Sequence, residues 1–187
     1  LERIQTILAA EIQLDILTSP YQLYSQIPKG GTPKSAFAKK IKPGMGKALR
    51  AEAALENIEI NYKNIERVPR SFKAHRLVSL AADNSKKWTL AKQIFHDYFE
   101  LGQDIEDLDY LLKKGQLADI PKSILSEFLL TKIGESAVLE KLKQHKEEFI
   151  TIVPTLRLDG KFVVPGLQSA DVWEKYIRRA AEIQMRT

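Results

Sequence analysis

The chain has 187 residues, of which 44% are apolar and 28% charged, a composition that supports a folded core and excludes a disordered chain. It has no cysteine, which excludes structural disulfides, thiolate metal sites and any thiol nucleophile within these residues. The net charge is +5, and no apolar run approaches the roughly 20 residues of a membrane span.

Leu1, Ile4, Ile7 and Leu8 recur at helical spacing, so residues 1–10 read as an amphipathic helix. Ile12, Leu14 and Ile16 then alternate with Gln13 and Asp15, which predicts a strand ended by Ser19-Pro20. Pro28, Gly30, Gly31 and Pro33 mark a long loop. From about Lys34 to Gln144 the pattern is helical. Lys34–Lys40 and Met45–Asn57 are helical pieces broken at Pro43-Gly44, and Ile58–Ile65 is a short extended stretch. Ser71 is placed to cap a helix carrying Ala74, Leu77, Val78 and Ala81. A longer helix covers Leu90–Leu101 and stops at Gly102, and shorter ones follow around Leu108–Lys114, Pro121–Ile133 and Glu135–Gln144.

The texture changes at Phe149. Thr155–Leu158 and Lys161–Val164 flank Asp159-Gly160, a strong hairpin signal because a two-residue turn there needs positive φ at both positions. Pro165-Gly166 closes the hairpin. Ser169 is placed to cap a last amphipathic helix with Val172, Trp173, Tyr176, Ile177 and Ala180, whose basic end (Arg178, Arg179) suits the helix dipole. Helix, strand, helical block, strand, turn, strand, helix describes an α/β fold with a helical insertion.

Several local patterns invite sharper chemistry and do not carry it. Gly44-Met45-Gly46-Lys47 lacks the glycine and hydroxyl residue of a phosphate loop, since Ile41 and Ala48 stand there. Asp104, Glu106, Asp107 and Asp109 lack the glycine and closing glutamate of a calcium loop, and capping explains them. His75, His96 and His145 are far apart, so no metal site is expected. Trp88 and Trp173 read as core or edge residues. Lys34, Lys39, Lys40, Lys42, Lys47 and Arg50 cluster without interleaved aromatics, so they read as a solvated basic face.

Four segments in order carry a resemblance. They are Ser19-Pro20-Tyr21-Gln22-Leu23 with its Pro/Gly loop, and Ile65 to Leu77 ending in Ala74-His75-Arg76-Leu77. Next comes Ile94 to Phe99 with Gly102 to Ile105, then Val153-Pro154-Thr155 with Asp159-Gly160 and Val164 to Gln168. Together they resemble DsbA-like disulfide oxidoreductases of the FrnE type, over nearly the whole chain. Arg70 departs from the asparagine common there. The resemblance implies a thioredoxin-like domain over 1–33 and 149–187, incomplete at its N-terminus, with a helical insertion over 34–148 between the second strand and the C-terminal hairpin. It places the family's first strand and Cys-x-x-Cys before Leu1, so the chain is expected to start downstream of its natural start, inside the active-site helix. Thr6 is the only hydroxyl in that helix, and no catalytic residue is assigned.

From the residues alone Pro154 fits either a cis bond or a trans proline opening a strand; the resemblance implies cis. It also implies that Val153, Pro154 and Thr155 bind substrate with Val153 pairing an extended chain, and that Phe72 and His75 begin a helix lining the groove. The implied function is thiol–disulfide oxidoreductase or isomerase on protein, peptide or small-thiol disulfides. A glutathione-using kappa-type transferase or chromene carboxylate isomerase, and a non-catalytic peptide-binding module, are the alternatives. No cofactor is expected beyond glutathione as a co-substrate. No nucleic-acid or membrane partner is expected, and the cytoplasm is the default compartment.

Overall fold

The computed structural model describes residues 1–39, 44–160 and 162–185, the side chain of Phe162 excepted. Lys40, Ile41, Lys42 and Pro43, which hold the middle of the basic cluster and the expected helix break, lie outside them, as does Lys161 of the hairpin. In chain order the elements are α1 (Glu2–Leu8), β1 (Thr32–Pro33), α2 (Lys34–Ala38), α3 (Met45–Leu55), β2 (Arg67–Val68) and α4 (Phe72–Leu80). They continue with α5 (Asn84–Phe99), α6 (Leu108–Leu117), α7 (Lys122–Leu130), α8 (Glu135–Glu147), β3 (Thr155–Leu158), β4 (Phe162–Pro165) and α9 (Ala170–Gln184). The chain forms two compact units, residues 1–16 with 143–187, and residues 17–142.

In the first unit, β3 and β4 form an antiparallel hairpin. Leu156, Leu158 and Val164 turn one face toward Ile4 and Leu8 of α1 and Trp173 and Ile177 of α9. Burying each side chain of this size contributes roughly 1.5–3 kcal/mol, so this small cluster holds the two helices on the hairpin. Asp159 and Gly160 both have positive φ, +49° and +70°. The ladder closes at Leu158 and Phe162, one position later than a two-residue turn would close it.

The strand expected over Ile12–Ile16 is not formed. Burial still alternates there, with Ile12, Leu14 and Ile16 half-buried and Gln13 and Asp15 exposed, and Ile12 and Leu14 pack on the cluster around Trp173. Alternation sets which side chains face inward; a strand also needs a neighbour to bond its backbone, and no described strand flanks this segment. Glu11, just before it, takes a forked bond from Arg178 of α9 (2.6 and 3.4 Å).

The second unit is built on α4 to α7, around Leu77, Leu90, Ile94, Leu111, Leu125 and Phe128. A Cβ on Gly115 of α6 would lie 2.3 Å from a methyl of Leu125, so glycine sets how closely α6 and α7 approach. Gly102 ends α5 region at φ +72°, against the backbone of Asn64. The extended stretch expected over Ile58–Ile65 forms no strand; the pairing falls just after it, where β2 bonds β1. Ser71 and Ser169 stand at helix N-caps, but neither side chain makes the expected capping bond. Ser71 is already near-helical (φ −69°, ψ 1°), whereas extended Asp83 and Asp107 cap α5 and α6 through Lys86 N and Tyr110 N, each at 2.8 Å.

Candidate functional site

The segment from the end of α8 into β3 is irregular because its residues cannot extend either element. Phe149 N and Ile150 N close α8 on the carbonyls of Lys146 and His145 (3.1 and 3.0 Å), with Phe149 at φ +54°. Pro154 has no N–H to give a ladder, and the Val153–Pro154 peptide bond is cis. Thr155 Oγ1 donates to the Ile152 carbonyl, and Gly166 N donates to the Pro154 carbonyl at 2.7 Å. Those two bonds shape the turn from both sides. The N–H and C=O of Val153 have no partner among the described residues, and its side chain is 40% exposed. Among them β3 pairs only with β4, so its other edge bonds no described strand.

Next to the turn in sequence, Ile152 and Leu167 are more than half exposed, and Phe149 at the end of α8 is 86% exposed. Arg157 pairs with Glu148, and the guanidinium holds the Glu148 carboxyl below the usual range. An open strand edge with apolar flanks can take up an extended chain by backbone pairing. Its hydroxyl, Thr155 Oγ1, is spent on the Ile152 carbonyl. Thr6 Oγ1 is spent on the Glu2 carbonyl within α1 (3.1 Å).

Phe72 and His75 belong to the second unit, on α4, and are described there on their own. Phe72 is 7% exposed and carries the Arg70 guanidinium 5.2 Å from its ring centre. It is packed rather than presented. His75 Nε2 lies 3.0 Å from the Tyr21 carbonyl. A carbonyl only accepts, so Nε2 carries the proton of that bond. Burial pushes the imidazole down to about 4, so the ring is neutral at pH 7.

The acidic run is committed to structure. Glu106 accepts from Gly30 N (2.9 Å), Arg70 N (3.0 Å) and Arg67 (3.4 Å), and Asp104 pairs with Arg67 at 2.6 Å. Those bonds fasten the Pro/Gly loop and the start of α4, while Asp107 caps α6.

Two buried polar groups escaped the reading of the sequence. Arg76, 1% exposed, donates through Nη2 to the carbonyls of Phe128, Thr131 (2.8 Å) and Ile133 (2.6 Å) at the end of α7. Asp97, 6% exposed, meets Lys114 Nζ at 2.5 Å and Tyr110 OH at 2.8 Å. The signal was available: Asp97 continues the Leu90–Ile94 stripe, and Arg76 sits between buried Ala74 and Leu77.

The profile of the DSBA-like thioredoxin domain matches residues 1–178. The uncharacterized protein YwbO of Bacillus subtilis is 30% identical over 121 residues, covering 64% of this chain and 60% of that protein. The chain thus spans less than two-thirds of the length of that curated relative. Among solved structures, a probable DsbA oxidoreductase of Streptomyces coelicolor superposes with a TM-score of 0.73 at 19% identity, over 86% of this chain and 72% of that one. A candidate protein disulfide isomerase of Nitrosomonas europaea superposes with a TM-score of 0.69 at 11% identity, over 99% and 87%.

Proposed function

The chain belongs to the DSBA-like thioredoxin domain family, and from that premise we propose that it forms the substrate-binding part of a thiol–disulfide oxidoreductase or isomerase of the FrnE type. The observation that carries this reading is Val153: its backbone N–H and C=O are unpaired among the described residues at the head of an open strand edge. An extended peptide pairs there, with Pro154 and Thr155 shaping the turn and apolar side chains beside its cystine resting on Ile152 and Leu167. His75 acts indirectly, by fixing the Tyr21 loop, and Phe72 by packing under Arg70. The helical unit stands as an insertion in the thioredoxin-like unit.

The attacking thiolate of this reaction is not among these 187 residues, which contain no cysteine. In such a reaction a thiolate attacks one sulfur of the substrate disulfide, and the other sulfur leaves. Glutathione is a fitting co-substrate, and a serine at the active-site turn would instead favour the glutathione-using transferase and isomerase relatives. A second reading, a peptide-binding module without redox chemistry, rests on the same unpaired Val153 backbone, which can hold an extended chain without a thiol.

The test is insulin reduction by the full-length product, read beside its binding of an unlabelled cystine peptide by calorimetry. Turnover with binding is expected. Binding without turnover would establish the module instead, and loss of both would remove the groove assignment.

A further inference from the structure

Asp97 of α5 is buried to 8% side-chain exposure and uses only one of its two oxygens. Oδ2 takes both bonds, from Lys114 Nζ at 2.5 Å and from Tyr110 OH at 2.8 Å, the two donors standing on α6. Oδ1 accepts from no described residue, yet it is not closed off from the surface. Bracing α5 against α6 needs Oδ2 alone. A carboxylate this far out of water is stable only when its remaining lone pairs also meet donors. Oδ1 therefore calls for a donor from outside the fold.

Asp97 lines a groove of about 420 Å³ between α5 and α6, a volume suited to a small molecule. Lys114 lines the same groove, and its side chain is 18% exposed there. Its ammonium has three N–H groups, of which Oδ2 needs one. A free acceptor and a free donor thus stand side by side, held together by the 2.5 Å pair. A simple anion placed here meets Asp97, and a simple cation meets Lys114. A group that carries both charges on neighbouring atoms satisfies both, as the α-ammonium and α-carboxylate of an amino acid do.

The rest of the groove selects the side chain. Thr89 and Gln93 line it one and two turns before Asp97, and both are neutral. Lys92 lines it as well, with Nζ 5.5 Å from the Trp88 ring centre. Its charge is thereby drawn toward the far end, since Trp88 lies roughly 13 Å before Asp97 along the helix axis. Lys92 and Lys114 against Asp97 leave the lining one positive charge in excess. Glu100, the next carboxylate on this side of α5, accepts from His96 Nδ1 at 2.8 Å. A second carboxylate on the ligand cancels the excess. A five-carbon amino dicarboxylate, with a hydrogen bond of about 2.8 Å at each end, bridges most of that length.

We infer that this groove binds an acidic α-amino acid, with its head group on the Asp97–Lys114 pair and its side-chain carboxylate toward Lys92. None of the residues around Val153 takes part, so this site is independent of the redox reading.

Titration of the full chain, labelled with ¹⁵N, by L-glutamate tests it. Saturable shifts of the amides of residues 89–97 and 110–114 are expected, half-complete below about 10 mM. Glutarate lacks the ammonium and N-acetyl-L-glutamate has it blocked, so each should bind at least about tenfold more weakly. Lys92→Gln, an exchange at the rim of the groove, should weaken L-glutamate about threefold and leave L-glutamine unchanged. Three outcomes would overturn the inference. No saturable shift by about 10 mM would mean that water alone meets Oδ1. Glutarate binding as tightly as L-glutamate would make the groove a plain anion site. An undiminished preference for L-glutamate over L-glutamine in Lys92→Gln would remove the assigned orientation.

Discussion

His75 Nε2 donates a 3.0 Å hydrogen bond to the carbonyl of Tyr21, joining the start of α4 to a loop 54 residues earlier. The bond needs no charge, and burial disfavours the imidazolium, holding the ring near 4 against an ordinary 6.5. In the unfolded chain His75 binds its proton at the higher pH. Its contribution is therefore fully present above about pH 6.5 and is lost as pH falls toward 4, by up to about 3 kcal/mol. Urea unfolding at pH 7.5 and pH 4.5 should show a fall in the wild type that is markedly smaller in His75→Gln. Equal falls in the two proteins would show that the imidazole is not the titrating group.

Arg76 ends α7 from inside the core, and its guanidinium also stands 4.9 Å from the Phe128 ring centre and 3.7 Å from Glu135. Removing it leaves the helix-end carbonyls buried without a donor. Arg76→Met should cost about 3 kcal/mol of unfolding free energy, because one partner of a buried polar set is lost and the rest remain. Arg76→Lys should recover only part, since a single ammonium cannot reproduce the spread of guanidinium contacts.

Asp97 and Lys114 make the opposite case. Replacing either alone leaves a mostly buried charge unpaired, so Asp97→Leu and Lys114→Met should each cost several kcal/mol, about 3 or more. The double variant should be far less destabilised than the sum of the two. A double-mutant cycle by chemical denaturation reads the difference, and additive losses would argue that the contact contributes nothing of its own.

Gly102 combines φ +72° with a Cβ position 2.3 Å from the Asn64 carbonyl oxygen. Neither a rotamer change nor a neighbouring side chain can relieve that contact, because the obstacle is backbone. Gly102→Ala should lower stability by at least about 2 kcal/mol. A thermal midpoint unchanged from the wild type would contradict the geometry.

Val153→Pro removes the N–H assigned to the substrate and leaves the rest of the turn. One hydrogen bond of this kind is worth about 1 kcal/mol, so peptide affinity should fall roughly fivefold while the melting temperature changes little. Calorimetric titration of the cystine peptide into the variant measures it. Undiminished affinity would move the binding edge away from Val153.

Much of this was legible along the chain. The 3.6-residue spacing marked the helices from Ser71 to Gln144 to within a few residues, though α5 begins at Asn84, six residues before the apolar stripe starts. Asp159-Gly160 announced the hairpin, because few other residues accept positive φ twice in succession. Val153-Pro154 stood out as well, but the residues alone left a cis bond and a trans proline opening a strand equally open.

What the residues decided by themselves was thus local: backbone preference and which face of each element turns inward. Ile12–Ile16 shows the limit, since its alternation survives as burial while the strand does not form without a neighbour. The long-range bonds were settled only by the fold. Glu106 reaches Gly30 across 76 residues and Arg76 reaches Ile133 across 57. Nothing in the spacing of charges along a chain says which will meet, because a hydrogen bond depends on distances of about 3 Å that only packing sets. The open edge at Val153 is of the same kind: the proline could be read in the sequence, but the missing partners could be seen only in three dimensions.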